Sequence, residues 1–291
     1  MFLLTIILIN IFLRVTNMAG RKLKTFEDFK RSLKNKYGLG EGKSYKPWLR
    51  VQDVKSRGVR SQILGLKTER IHHTLSSIET EFFYLAENCD SVIDIREQFP
   101  LFPINLSIKI AKALGVDHPT HPETDVPIII TTDFLLTRII NGEIVFEAVS
   151  VKTEDVSDEL RVLEKLEIER VWWELLGIKF SYFVGTELTQ VQSSNINWAT
   201  HPLRTESNTY NSNNLEEALS LMTLGKHFIR DICNLFVSEM NVAHDEALNI
   251  LRCLIGEKRL IVDISYPLEN SDFINILSIE TAQEDLAIGN S

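Results

Sequence analysis

The sequence predicts an α/β core followed by a smaller unit of three helices and a β-wing. Three observations carry this expectation. A helix-patterned segment and a strand precede two β-rich runs joined by Asn-Gly; a long helix and a further strand follow them; and the last third of the chain turns to helical segments that end in a short strand. The length of 291 residues also exceeds one typical domain of roughly 100 to 200 residues. The expected division is residues 1–20 as an apolar extension, 21–188 as a basic arm plus the α/β core, and 189–291 as the second domain.

Met1 to Leu13 is nearly all apolar, but no Lys or Arg precedes the run and no small-residue cleavage site follows it. It is also shorter than the roughly 20 residues of a membrane-spanning helix. The expected start is therefore Met18, with residues 1–17 foreign to the native protein; a short membrane-surface anchor is the rival reading. Cys89, Cys233 and Cys253 are odd in number and widely spaced. They give neither a disulfide framework nor a CxxC metal pattern, and a reducing cytoplasm suits them.

The net charge of −9 argues against nucleic acid until its distribution is considered. Between Arg21 and Arg70 stand 15 basic and 5 acidic residues, against 16 and 35 in the remainder. Such asymmetry is expected of an arm that tracks phosphates, although a solvated basic surface looks the same. Within the arm, Tyr45-Lys46-Pro47-Trp48-Leu49-Arg50 interleaves aromatic and basic groups.

Ser76 to Glu87 reads as a helix with Ile78, Phe82 and Leu85 on one face and a capping-box start, Ser76-Ser77-Ile78-Glu79. Ser91 to Ile95 alternates as a strand. After Ile128 to Ile140, Asn141-Gly142 leads into Glu143 to Lys152, the strongest short-range hairpin signal. Asp155 to Leu176 is helical and ends at Gly177, and Phe180 to Val184 is a strand. The polar stretch Gln190 to Asn214 reads as a linker. Helices are expected near Leu215 to Leu224, Lys226 to Glu239 and Asp245 to Ile255, then a strand over Arg259 to Ile264.

A two-residue turn at Asn141-Gly142 places Ile140 opposite Glu143 and Asp133 opposite Ser150. Period-two alternation then puts Asp133, Ser150 and Lys152 on one side, with Cβ separations of roughly 5 to 8 Å, and sends Glu147 to the other. A carboxylate beside a lysine suits metal-assisted phosphodiester hydrolysis: the carboxylate holds hard Mg²⁺, and the ammonium orients the nucleophile or the scissile oxygens. A second carboxylate is needed, and Glu79 is the candidate. Glu79 as no more than a helix cap, and Asp133 with Lys152 as a mere cross-strand ion pair, are the bland alternatives.

Further segments carry a family resemblance: Tyr45 to Leu49, Arg70 to Glu79, Asp94-Ile95-Arg96-Glu97-Gln98-Phe99-Pro100-Leu101, Thr132-Asp133-Phe134, Val151-Lys152, and Leu163-Glu164-Lys165-Leu166-Glu167-Ile168-Glu169-Arg170 with Trp172-Trp173. Together they resemble TnsA, the endonuclease subunit of a heteromeric bacterial cut-and-paste transposase. The resemblance implies a restriction-endonuclease-like catalytic domain with a C-terminal winged-helix domain, in the bacterial cytoplasm. It implies that Glu79, Asp133 and Lys152 are catalytic, with one or two Mg²⁺ (or Mn²⁺) ions. It implies cleavage of the 5′, non-transferred strand of double-stranded DNA at transposon ends, alongside a TnsB-like transposase and a TnsC-like ATPase regulator that docks on the C-terminal part. Ser150 departs from the family's Gln or Glu, so the Ser150 hydroxyl and the Val151 carbonyl are weaker ligand candidates.

Glu169 is a secondary acidic candidate, although a solvated helix face explains it more simply. His72 and His73, being adjacent, cannot both serve one metal; at least one is read as a phosphate contact, and Lys46, Trp48, Arg50 and Arg70 complete the expected DNA contacts. Gln190 to Ser291 carries 6 basic and 14 acidic residues, which favours a protein partner over DNA there. The competing functions are a stand-alone restriction or repair nuclease and a catalytically degraded adaptor that bridges DNA ends to an ATPase.

Overall fold

A computed structural model describes residues 20–54, 58–152, 160–205 and 212–280. The apolar segment 1–19, the expected start at Met18 and the expected opening of a helix at Asp155 lie outside the described residues. Two units are distinguished, 1–185 and 186–291.

The basic segment is not an extended arm. Thr25 caps α1 (Phe26–Lys34), accepting from the Asp28 amide at 3.2 Å while the Asp28 carboxylate accepts from the Thr25 amide at 3.2 Å. Phe29 and Trp48 are buried with Ile129 in a small apolar cluster. A short hairpin follows, β1 (Ser61–Leu64) with β2 (Ile71–Thr74). The charge pattern was silent about the aromatic residues, which fold the segment onto the rest of the unit.

Ser76 starts α2 (Ser77–Asn88) by accepting from the Glu79 amide. Phe82 packs its ring 5.0 Å from both Phe134 and Phe183, yet Phe83 is the side chain buried completely. Next come β3 (Val92–Pro100), α3 (Ile104–Leu114), β4 (Thr131–Ile140), β5 (Glu143–Lys152), α4 (Leu160–Leu175) and β6 (Lys179–Val184). The strands form one sheet in the order β3-β4-β5-β6, antiparallel except for the β5–β6 pair that α4 connects. Four elements of this unit, α1, β1, β2 and α3, were not anticipated, and β3 runs five residues beyond the expected Ile95.

The hairpin register is Ile140↔Glu143 through Phe134↔Val149 without a slip. Asn141 (φ 52°) and Gly142 (φ 82°) both occupy the left-handed region that a type I′ turn demands. Leu135 and Ala148 from the hairpin, Ile110 from α3 and Ile168, Trp172 and Trp173 from α4 make one buried cluster. This core fixes the central strands from which the site projects.

In the second unit, the expected linker from Gln190 is in fact α5 (Glu187–Thr200) and a 3-10 turn over Pro202–Arg204, while residues 206–211 lie outside the described ones. Thr186 and Thr189 cap α5 reciprocally. Its weak helix formers are overridden by tertiary bonds: the Asn195 amide donates to the Ile264 and Tyr266 carbonyls at 3.0 and 2.7 Å, and its oxygen accepts from the Leu268 amide at 2.8 Å. Then follow α6 (Ser212–Ser220), β7 (Gly225–Phe228), α7 (Ile229–Met240), α8 (His244–Gly256), β8 (Leu260–Val262) and β9 (Phe273–Ile279). The last three strands pair antiparallel in the order β7-β9-β8. The helix expected from Lys226 therefore starts later, at Ile229, because residues 225–228 join a sheet that β9 completes.

Candidate active site

Asp133, near the start of β4, is held by contacts from the facing strand β5. Its Oδ2 accepts from the Val151 amide at 2.8 Å and from the Ser150 hydroxyl at 3.2 Å, and the Lys152 ammonium lies 3.6 Å away. The register that puts Asp133 against Ser150 thus gathers a carboxylate and a lysine at one end of the hairpin, with both side chains partly exposed. Ser150 is itself buried and spends its proton on Asp133, which makes it a positioning contact for the carboxylate. Glu147 turns elsewhere, paired with Arg138 at 2.6 Å and Lys179 at 2.9 Å.

Glu79 reaches the same place from the first turn of α2. One oxygen accepts from the Ser76 hydroxyl at 2.9 Å and the other from the Leu75 amide at 2.9 Å. These bonds belong to a cap, so Glu79 does close the helix start. A cap alone does not explain its remaining neighbour. The Gln98 amide nitrogen lies 3.4 Å from Glu79 Oε2 and 3.4 Å from Asp133 Oδ1, spanning the two acids.

Burial, and then the negative charge of Asp133, push the Glu79 carboxyl up to about 7. The same two causes in the same order push Glu169, on α4, up to about 7. Glu169 does not sit on a solvated helix face, as its charged surroundings in sequence suggested. It is almost wholly buried, because the α4 face bearing Ile168, Trp172 and Trp173 packs into the core, and its Oε1 has no hydrogen-bond partner among the described residues. Two buried carboxyl groups whose proton affinity the Asp133 charge raises stand near that aspartate and Lys152, a charge arrangement that a cation would relieve. Hard oxygen donors are the set that Mg²⁺ or Mn²⁺ takes, and an unpartnered buried oxygen is a donor to spare. Among the described residues no three His, Cys, Asp or Glu side chains form a ready-made metal cage. Glu79 and Asp133 with backbone oxygen and water would suit Mg²⁺, which keeps several waters.

Most of the expected DNA contacts are drawn into the interior instead. Trp48 is core, with its ring 5.2 Å from Phe102. Arg70 pairs with Glu97 at 2.6 Å and donates to the Ile95 carbonyl at 2.6 Å. His72 is fully buried between Glu97 (2.8 Å) and the Thr68 hydroxyl (2.7 Å). The His73 amide donates to Glu97 at 3.0 Å, and burial lowers its imidazole pKa, so it stays neutral and is a poor phosphate ligand. Arg50 is half-buried against Asp53 at 3.2 Å. Lys46 is exposed. For Arg70, His72 and His73 the reason is Glu97: a fully buried carboxylate must collect donors, and it takes them from the residues that looked like a phosphate-binding face.

Residues 89–185 match the family model of the TnsA-like endonuclease N terminal. Over 168 residues the chain is 40% identical to the transposon Tn7 transposition protein TnsA of Escherichia coli. Over this region the chain is similar to the TnsA family. That alignment takes in 58% of the chain and spans 60% of the E. coli protein's own length. Within the family-model match lie Gln98, Asp133, Ser150, Val151, Lys152 and Glu169; Glu79 precedes it. The family's endonuclease region therefore coincides with the four-stranded sheet and α3 and α4.

Proposed function

We propose that this chain is the metal-dependent DNA endonuclease subunit of a cut-and-paste transposase, with Glu79, Asp133 and Lys152 as its catalytic residues. The observation that carries the reading is the meeting of a helix-borne and a strand-borne carboxylate, joined through Gln98, with a lysine 3.6 Å from one of them. Glu79 and Asp133 would hold Mg²⁺ or Mn²⁺, with Glu169 as a third acid for a second ion and the Val151 carbonyl as a further oxygen. When bound, the ion supplies Lewis-acid stabilisation of phosphate charge and activates water for in-line attack.

The chain's own groups then have distinct tasks. The Val151 amide and Ser150 hydroxyl hold Asp133 in place, so its orientation is set before substrate arrives. Lys152, beside Asp133, would orient the attacking oxygen at the scissile phosphate. Glu79 must give up the proton that burial favours before it can serve as a ligand, so loading is linked to proton release.

In this reading the substrate is the 5′ strand at transposon ends, and the partners are a TnsB-like transposase and a TnsC-like ATPase in the bacterial cytoplasm. After α5 the second unit runs α-β-α-α-β-β, which we read as a winged helix whose third helix, α8, would read bases. Here α8 is covered by α5: Arg252 of α8 donates to the Trp198 carbonyl at 2.8 Å, and a Cβ on Gly256 would meet the Ala199 carbonyl oxygen at 2.9 Å. A covered helix in an acidic unit supports protein contact there. The retained acid pair and lysine count against the degraded adaptor.

The test is Asp133→Ala in a complex reconstituted with the partner transposase on transposon-end DNA. Loss of 5′-strand nicking with intact assembly is expected. Undiminished nicking refutes the assignment.

A further inference from the structure

Gln98 belongs to none of the groups assigned above, yet it is almost wholly buried and every polar atom of its side chain is engaged. Its two N–H bonds point one at each acid, and its oxygen accepts from the Thr131 hydroxyl at 3.0 Å. The Thr131 bond fixes which end of the amide faces the carboxylates. Only a primary amide offers two donors on one atom together with an acceptor behind them.

The backbone is shaped for this contact. Glu97 pairs with Phe134 and Phe99 with Thr132, so Gln98 stands opposite Asp133 with no residue inserted. Within that unbroken register Gln98 has φ +49°, left-handed for a residue with a side chain, and its carbonyl accepts from the Trp48 amide at 3.2 Å. Glu97, anchored by Arg70 and His72, holds the strand on one side of this kink.

We propose that Gln98 is a positioning residue that ties Glu79 to Asp133, holding the two carboxylates at metal-binding separation before the ion arrives. Without the bridge, the two acids belong to different elements and repel one another. The amide thus replaces reorganisation at the moment of loading with a preset geometry. The inference rests on the reading of Glu79 and Asp133 as the metal-binding pair.

The test measures Mn²⁺ binding to the purified full-length protein without DNA, by calorimetry and by Mn²⁺ spin resonance. Gln98→Gly suits the left-handed backbone and lacks the amide; Gln98→Met keeps the bulk and lacks it too. Both are expected to weaken Mn²⁺ binding by about 10- to 100-fold, the cost usual for a group that supports metal ligands. Thr131→Val is expected to shift affinity in the same direction, while Thr131→Ser, which keeps the hydroxyl, retains it; a purely steric role for Thr131 reverses that order and overturns the bridge. Wild-type affinity in folded Gln98→Gly and Gln98→Met, with Asp133→Ala deficient, overturns the bridge alone. Wild-type affinity in Asp133→Ala as well overturns the acid pair itself.

Discussion

At the scale of residues, the site is a problem of too many carboxylates in too little water. Glu79 and Glu169 both rise to about 7, and in each case burial is the larger cause and Asp133 the second. A folded-state value above the unfolded one means that the folded protein binds more protons. The stability this contributes is full below about 4.5 and is lost as pH rises through about 7. The metal-free protein is therefore expected to melt at a lower temperature at pH 8 than at pH 6, and Mg²⁺ to reduce that difference. Thermal scans with and without the ion decide this; a melting temperature that rises over that interval sinks it. For the same reason Mn²⁺ affinity should increase from pH 6 to pH 8. Glu79→Gln, which cannot ionise, should lose cleavage at every pH while retaining the fold.

At the scale of elements, two local features carry the geometry. One is the turn at Asn141-Gly142, where Gly142 sits at φ +82°. Gly142→Val is expected to cost about 1–2 kcal/mol, measurable by urea unfolding, because a β-branched residue resists that region. The other is the buried Glu97, which binds Arg70, His72 and the His73 amide. Its ionised form is stabilised against burial by His72 and Arg70, and its pKa lies far below the usual carboxylate range. Glu97→Gln leaves Arg70 buried with a weaker partner, and a loss of about 3 kcal/mol is expected in the same measurement. The hairpin was legible because dipeptide chemistry and period-two alternation are local. The fate of His72 was not, since nothing in a His-His pair shows that a glutamate 25 positions away will bury it.

At the scale of the whole molecule, charge separates into a basic first segment and an acidic remainder. Most of the cations expected to touch DNA are engaged internally, so any phosphate footprint must come from exposed ones, such as Lys34, Lys36 and Lys46. Neutralising these three is expected to weaken DNA association and to reduce the salt slope by about one for each phosphate that is no longer neutralised. Binding isotherms across a salt series measure it, and an unaltered slope removes this face from the footprint. Among the described residues no helix is long and apolar enough to cross a membrane. In the second unit, the Ser, Thr and Asn of residues 190–200 suggested a linker, but burial of Ile196 and Ala199 and the bonds of Asn195 make a helix of them.

The sequence by itself determined the hairpin register and the pairing of Asp133 with Lys152, because both follow from the local chemistry of the Asn141-Gly142 turn and from strand alternation. Only the tertiary structure decided that Glu169 turns inward, that Arg70 and His72 serve the core, and that Gln98 stands between two acids. Those outcomes depend on which distant groups share a water-poor space. Desolvation there reassigns charged side chains in a way that local pattern cannot express.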